Sequence, residues 1–219
     1  MQQQQQQEQQ SHQEKQLHHT HSHTTPLPLI DLKILLDLPL WILFFVMFFM
    51  SIGINAVSGY VVASTHYYGI STNKAALLPT IMSITHAVGN IVSGYAADKV
   101  SALIVLLVSL ASSGVFTFAL WLPATNYAMF ATFSTLMGLV AMNTNNTIPI
   151  VTVQLYGLKR IPSITGFILL SSVFGALGGN YSLAAIYDHI DHRGRFWYTI
   201  VFTGVTFVIT ALTGLALAF

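Results

Sequence analysis

The sequence predicts an all-α, polytopic membrane protein with six transmembrane helices, and three observations predict it. Of 219 residues, 53% are apolar and only 7% charged, with a mean hydropathy of +0.64. A soluble domain is about 25% charged, so these few charges cannot coat a globule in water. The eight basic and seven acidic residues also fall in short clusters, separated by long uncharged stretches. A bilayer-spanning helix takes about 20 such residues. Trp41, Trp121 and Trp197 lie near the ends of those stretches, where interfacial aromatics belong. This composition excludes a soluble enzyme, a disordered regulator and a nucleic-acid binder, the net charge of +1 giving no basic footprint. With no cysteine there is no disulfide framework and no thiolate metal site.

Residues 1–37 read as a cytoplasmic tail and linker. Positions 2–23 are almost wholly Gln, His, Ser and Thr, a composition that cannot bury enough apolar surface to offset ordering entropy and is expected to be disordered. His18, His19, His21 and His23 could bind a divalent metal weakly, but a low-complexity run supplies no set geometry. Neither a metal nor a cofactor is expected. Pro26 and Pro28 stiffen the exit, and Asp31 to Asp37 form a short amphipathic segment at the membrane surface.

The membrane domain, residues 38–219, then divides at its charges. The first span runs over 40–63 and the second over 75–97, between Lys74 and Asp98. The third covers 101–122, the fourth 126–155, the fifth 161–187 and the sixth 196–219. An even number puts both ends on one side. That side carries Lys33, Lys99, Lys159 and Arg160 near the membrane, against Lys74, Arg193 and Arg195 opposite, a bare balance for a cytoplasmic N-terminus. The N-x-S/T triplets at Asn145 and Asn180 lie inside spans, out of reach of glycosylation.

Polar residues inside the spans are the candidate substrate-binding set. Asn55 lies in the first span. His86 and Asn90 lie four apart on one face of the second, and His86 is the titratable group deepest in a span. The fourth holds Asn143, Thr144, Asn145, Asn146 and Thr147 in succession, just before Pro149. A run of that length cannot all face lipid, so part of it faces a bundle interior or an aqueous cavity. Interhelical hydrogen bonding is the alternative for each of these residues. Pro79 and Pro149 each release a backbone carbonyl, to line a cavity or to be compensated by Ser and Thr. Gly175 and Gly179 form a G-x-x-x-G pair suited to close helix contact.

The second span ends Gly89-Asn90-Ile-Val-Ser93-Gly94-Tyr-Ala-Ala97-Asp98-Lys99. This resembles the G-R-x-x-x-G-x-x-A-D-[RK] signature of the major facilitator superfamily, at the tight cytoplasmic loop between the second and third helices of a six-helix half. The stretch Leu155-Tyr156-Gly157-Leu158-Lys159-Arg160, the glycines Gly166, Gly175, Gly178 and Gly179, and Tyr187-Asp188 are similar to the same region of fungal monocarboxylate-transporter-like permeases. The resemblance covers about residues 38–219. It implies half of a twelve-helix fold, the C-terminal six helices, with both termini cytoplasmic. It makes Gly89, Gly94, Asp98 and Lys99 a conformational loop. In monocarboxylate transporters an acidic residue and, four positions later, an arginine engage the substrate carboxylate; the matching positions here are His86 and Asn90. The bidentate anion contact is therefore absent, and a monocarboxylate, a neutral polar solute or no solute stay open.

The function implied is secondary transport of a small-molecule solute across the bilayer, with a proton as co-substrate and no enzymatic activity. No G-x-S-G, H-E-x-x-H or paired intramembrane aspartates occur. The alternative is a membrane interaction or sensor protein that keeps the fold without transport. In this superfamily the solute sits between two halves that rock against each other. A truncated product, a half that pairs with another chain or with its own copy, and a non-transporting protein are the three accounts of a lone half. The plasma membrane is the expected location and the vacuolar membrane the alternative.

Overall fold

The computed structural model describes residues 36–157, 161–189 and 196–217. The Gln/His-rich tail, the surface segment up to residue 35, and Lys159, Arg160, Arg193 and Arg195 lie outside the described residues. Helix α1 is Leu38–Tyr67, α2 Thr72–Lys99 and α3 Ala102–Phe116. Helix α3 runs on as a π turn, Thr117–Trp121. Helix α4 is Tyr127–Leu139, followed by a 3₁₀ turn, Ala141–Asn143, and by α5, Thr144–Tyr156. Helices α6, Ile161–His189, and α7, Trp197–Leu215, complete the set. The described residues contain no strand.

Five helical segments are each long and apolar enough to cross a membrane: α1, α2, α3 with its π turn, α6 and α7. They coincide with five of the six expected spans. The fourth departs from the expectation of one continuous helix. It is α4 and α5 joined through the 3₁₀ turn, and the cause lies in Asn143. Its side-chain Nδ2 donates to the Leu139 carbonyl at 2.6 Å, the acceptor that an unbroken helix would give to the backbone N–H of Asn143. Asn competes with the helix in this way wherever its amide can reach a nearby carbonyl. By contrast, α2 runs unbroken through Pro79, and Ser83 Oγ donates to the Pro79 carbonyl at 2.8 Å.

Lipid is as apolar as leucine, so these helices associate through close contact and not through a hydrophobic drive. Helix α1 is the centre, packed against α6 on one side and α7 on another, while α2 packs on α4, and α3 on α7 and α5. Over half of the apolar window of α1 is buried, 56%, against 22% in each of α2 and α6, so the latter two leave broad faces uncovered. Glycines set the approach distances. A Cβ at Gly179 would stand 3.0 Å from Ile52 Cα, and one at Gly175 would meet the Phe48 carbonyl. The G-x-x-x-G pair is therefore the α1–α6 seam. The Phe207 ring fills the space over Gly53, and Phe118 that over Gly204. Hydroxyls along α3 and α7 return to their own helices: Ser113 to the Ser109 carbonyl, Thr117 to Ser113, Thr203 to Thr199 and Thr210 to Thr206, at 2.7–2.8 Å.

Trp41 and Trp197 are partly exposed near helix ends, as interfacial aromatics are, but Trp121 is fully buried. The π turn brings Leu122 N–H back to the Thr117 carbonyl at 3.0 Å. The additional residue in that turn rotates the side chains beyond it relative to an α-helix. Trp121 stacks on Phe133 at 5.2 Å between centroids, and its Nε1–H donates to Ser64 Oγ at 3.3 Å. The chain then turns through Pro123 into α4, where Asn126 Oδ1 accepts from the Met129 N–H at 3.0 Å as an N-cap. Capping side chains of this type contribute about 1 kcal/mol. Asn126→Ala is expected to lower the stability of the purified protein by that amount in a detergent-unfolding titration, while Asn126→Asp holds it.

Candidate functional site

The α2–α4 seam positions the site. A Cβ at Gly89 would collide with the Leu139 carbonyl and come within 2.7 Å of Asn143 Nδ2. A Cβ at Gly138 would collide with Thr85 Oγ1 and the Met82 carbonyl. Two glycines on facing helices thus let the backbones touch, and the break after α4 swings α5 so that it meets α2 one turn further along. There Asn146 Nδ2 donates to Asn90 Oδ1 at 2.5 Å. Asn90 is partly exposed; Asn145 and Asn146 are exposed. His86, one turn before Asn90, is partly exposed, with its Nε2 buried and lacking a hydrogen-bond partner.

Four of the six candidate residues therefore gather on neighbouring turns of α2 and α5: His86, Asn90, Asn145 and Asn146. Asn143 joins the same seam from behind, 1% exposed, with Oδ1 buried and unpaired. Asn55 does not join it. Its Nδ2 donates to the Ser51 carbonyl at 2.7 Å, and Ser51 Oγ in turn donates to the Ser172 carbonyl on α6 at 2.7 Å, so Asn55 belongs to the α1–α6 seam. Of the loop residues, Gly89 is packed as described. Gly94 has open space, with nothing within 4 Å of where a Cβ would stand. Asp98 and Lys99 are exposed at the end of α2, with Lys99 Nζ 5.7 Å from the Tyr95 ring centroid. Only Val100 and Ser101 separate α2 from α3.

The arrangement is a neutral donor–acceptor surface. An amide offers one acceptor oxygen and two N–H donors. Once Asn146 has donated to Asn90, the Nδ2 of Asn90 and the Oδ1 of Asn146 stay available, beside all of Asn145. None of the spans carries an acidic or basic residue, so this half brings no fixed charge to the surface. Asn180, exposed in the glycine-rich middle of α6, is a further polar side chain on an uncovered face. Its signal in the sequence is a lone amide in an apolar helix, noted there only as part of an N-x-S/T triplet out of reach of glycosylation.

Comparison with known proteins agrees with this architecture. The chain is 32% identical over 169 residues to the MFS-type transporter opdF of Penicillium oxalicum, covering 77% of this chain and 39% of that protein. It is 25% identical over 166 residues to the MFS transporter asaE of Aspergillus flavus, covering 74% and 38%. It is 23% identical over 138 residues to the probable transporter MCH2 of Saccharomyces cerevisiae, covering 63% and 29%. The chain thus spans less than two fifths of the length of these curated relatives. The family model of the Major Facilitator Superfamily matches residues 10–217. Together with the helical bundle, its glycine seams and the short loop after Asp98-Lys99, that match shows that the chain belongs to the major facilitator superfamily.

Proposed function

We propose that the chain supplies one six-helix wall, the C-terminal one, of a secondary transporter that moves a small organic acid together with a proton. The observation that carries this reading is the Asn90–Asn146 hydrogen bond on an open face free of fixed charge. A carboxylate placed there without a cation would lose its hydration and gain no countercharge. A protonated carboxylic acid is neutral and matches the amides: its O–H meets Asn146 Oδ1 and its C=O meets Asn90 Nδ2. Binding the acid and its proton together makes the pH gradient the driving force, and His86 stands one turn away to pass that proton. The names of the fungal relatives, transporters or probable transporters, support transport itself. The second wall is a partner half, on a longer chain or on a second copy. Both termini face the cytoplasm, and the membrane is the plasma membrane.

The test is uptake of labelled lactate and of labelled glycerol, at pH 5 and pH 7, in a transport-deficient yeast expressing the chain. Acid uptake is expected to be higher at pH 5 and glycerol uptake to be flat. Asn146→Leu should cut acid uptake at least about tenfold, the worth of stranding a desolvated hydrogen-bonding group. His86→Ala should abolish gradient-driven accumulation and leave exchange intact. Absence of uptake by correctly inserted protein at both pH values would sink autonomous transport, and glycerol uptake alone would replace the acid with a neutral solute.

A further inference from the structure

Among the described residues, one that is not glycine holds a left-handed backbone: Phe196, at φ 50° and ψ 13°, just before α7. An L-residue in that region brings its Cβ close to the following carbonyl, at a cost of about five- to thirtyfold in population. Gly or Asn would carry the same conformation more cheaply. What the conformation changes is the direction of the ring. Phe196 is 5% exposed, whereas its successors Trp197 and Tyr198, on ordinary helical backbone, are each half exposed.

The Phe196 ring is turned back onto two other helices. It stacks on Tyr187 of α6 at 5.2 Å between centroids, and it lies edge-on to Tyr60 of α1 at 6.4 Å. Tyr60 and Tyr187 are themselves 6.1 Å apart. Three rings from three elements thus meet at the end of the bundle away from the Asp98-Lys99 loop. An aromatic pair returns about two- to twelvefold, so the two pairs that Phe196 makes are of the size of its left-handed cost. In a bilayer the burial of the ring adds little, lipid being equally apolar. The seated and the withdrawn ring are therefore close in free energy, and both are populated.

We propose that Phe196 is a latch. Seated, its ring clamps the ends of α1 and α6 together; withdrawn, its backbone relaxes and those ends part. The motion has a fixed base. Ser51 is bonded across to the Ser172 carbonyl, and Gly175 and Gly179 sit against Phe48 and Ile52. Only the stretch from Gly179 to His189, about 15 Å of helix, is free to swing. Its opening admits water to a part of the α1–α6 seam that is sealed while the ring is seated.

The chain has no cysteine, so a single introduced thiol reports on that opening. Leu183→Cys places one at a fully buried position, one turn before Tyr187. Ile168→Cys places one at an equally buried position on the other side of Gly175. The full chain in phosphatidylcholine nanodiscs is treated with a water-soluble maleimide, and modification is timed by mass spectrometry. Phe196→Asn keeps a residue that tolerates the left-handed backbone and removes the ring. It should speed modification at position 183 at least about fivefold, within the worth of one aromatic pair, and leave position 168 unchanged. Tyr187→Leu should do the same, and Trp197→Ala should alter neither rate. Should Leu183→Cys not fold, Ala56→Cys, buried one turn past Ile52 on α1, is the second reporter. An unchanged rate at the upper position without the Phe196 ring would overturn the latch. An equal rise at both positions would overturn it too, since the whole bundle would then have loosened. Neither the solute nor the orientation of the chain enters this readout, so its outcome is separable from the transport proposal.

Discussion

Gly138→Val is expected to destabilise the bundle by about 3 kcal/mol, the upper end of the range for overpacking a tight contact. A valine at this position drives its Cβ into Thr85 Oγ1 and the Met82 carbonyl. The second of these is backbone and cannot swing aside. Gly89→Val meets the Leu139 carbonyl from the other side and should cost a similar amount. Relief requires α2 and α4 to separate, and separation pulls Asn90 from Asn146. Stability and the polar face are therefore coupled: both variants should unfold at lower denaturant and lose whatever solute binding the wild-type chain shows. Gly94→Val is the control, because nothing lies within 4 Å of its Cβ position. A melting temperature for Gly138→Val equal to that of Gly94→Val would show that the seam is looser than its geometry.

Trp121→Ala is the second large effect, expected at about 3–5 kcal/mol. In water part of such a loss is returned hydrophobic surface. In a membrane the surroundings are equally apolar, so the loss is the dispersion energy of a ring with no replacement atoms. Trp121 is 0% exposed, stacked on Phe133 and hydrogen-bonded to Ser64 of α1. Its removal empties the junction of the π turn with α1 and α4. Trp121→Phe keeps the stack and loses the N–H donor, so it should cost about 1 kcal/mol. Trp197→Ala, at a site 52% exposed, should change little. These three are ranked by thermal unfolding in one detergent. Equal melting temperatures for Trp121→Ala and Trp197→Ala would refute the packing role.

The spans are legible in the sequence because charge is so expensive in lipid that Lys74, Asp98 and Lys99 mark helix ends by themselves. The break at Asn143 is not, although the polar run around it is plain. Which carbonyl an amide captures depends on rotamer and neighbours, and composition carries neither. Trp121 escapes the sequence for a related reason. Its distance from the span end suits an interface, but a π turn changes the facing of the residues beyond it and leaves no periodic trace. For the site, the i, i+4 spacing of His86 and Asn90 defines one face of α2. That Asn146 and not Asn143 reaches Asn90 depends on where the fourth segment bends. Asn55 looks like a member of the same group because polarity in a span says that a partner exists without saying on which helix.

The returned hydroxyls of α3 and α7 have a mechanical consequence. Ser113, Thr117, Thr203 and Thr210 each give their proton to their own helix. None of these bonds changes if the two helices shift along each other. The hydroxyls of these four residues therefore add nothing across the α3–α7 contact, which is held by shape, with Leu110 seated over Gly214 and Val208 beside Gly114. The α1–α6 contact behaves as a rivet, with Ser51 bonded across to Ser172 and Gly175 and Gly179 seated on the opposing backbone. One contact thus resists sliding through a hydrogen bond between helices, the other through side chains lodged in glycine notches.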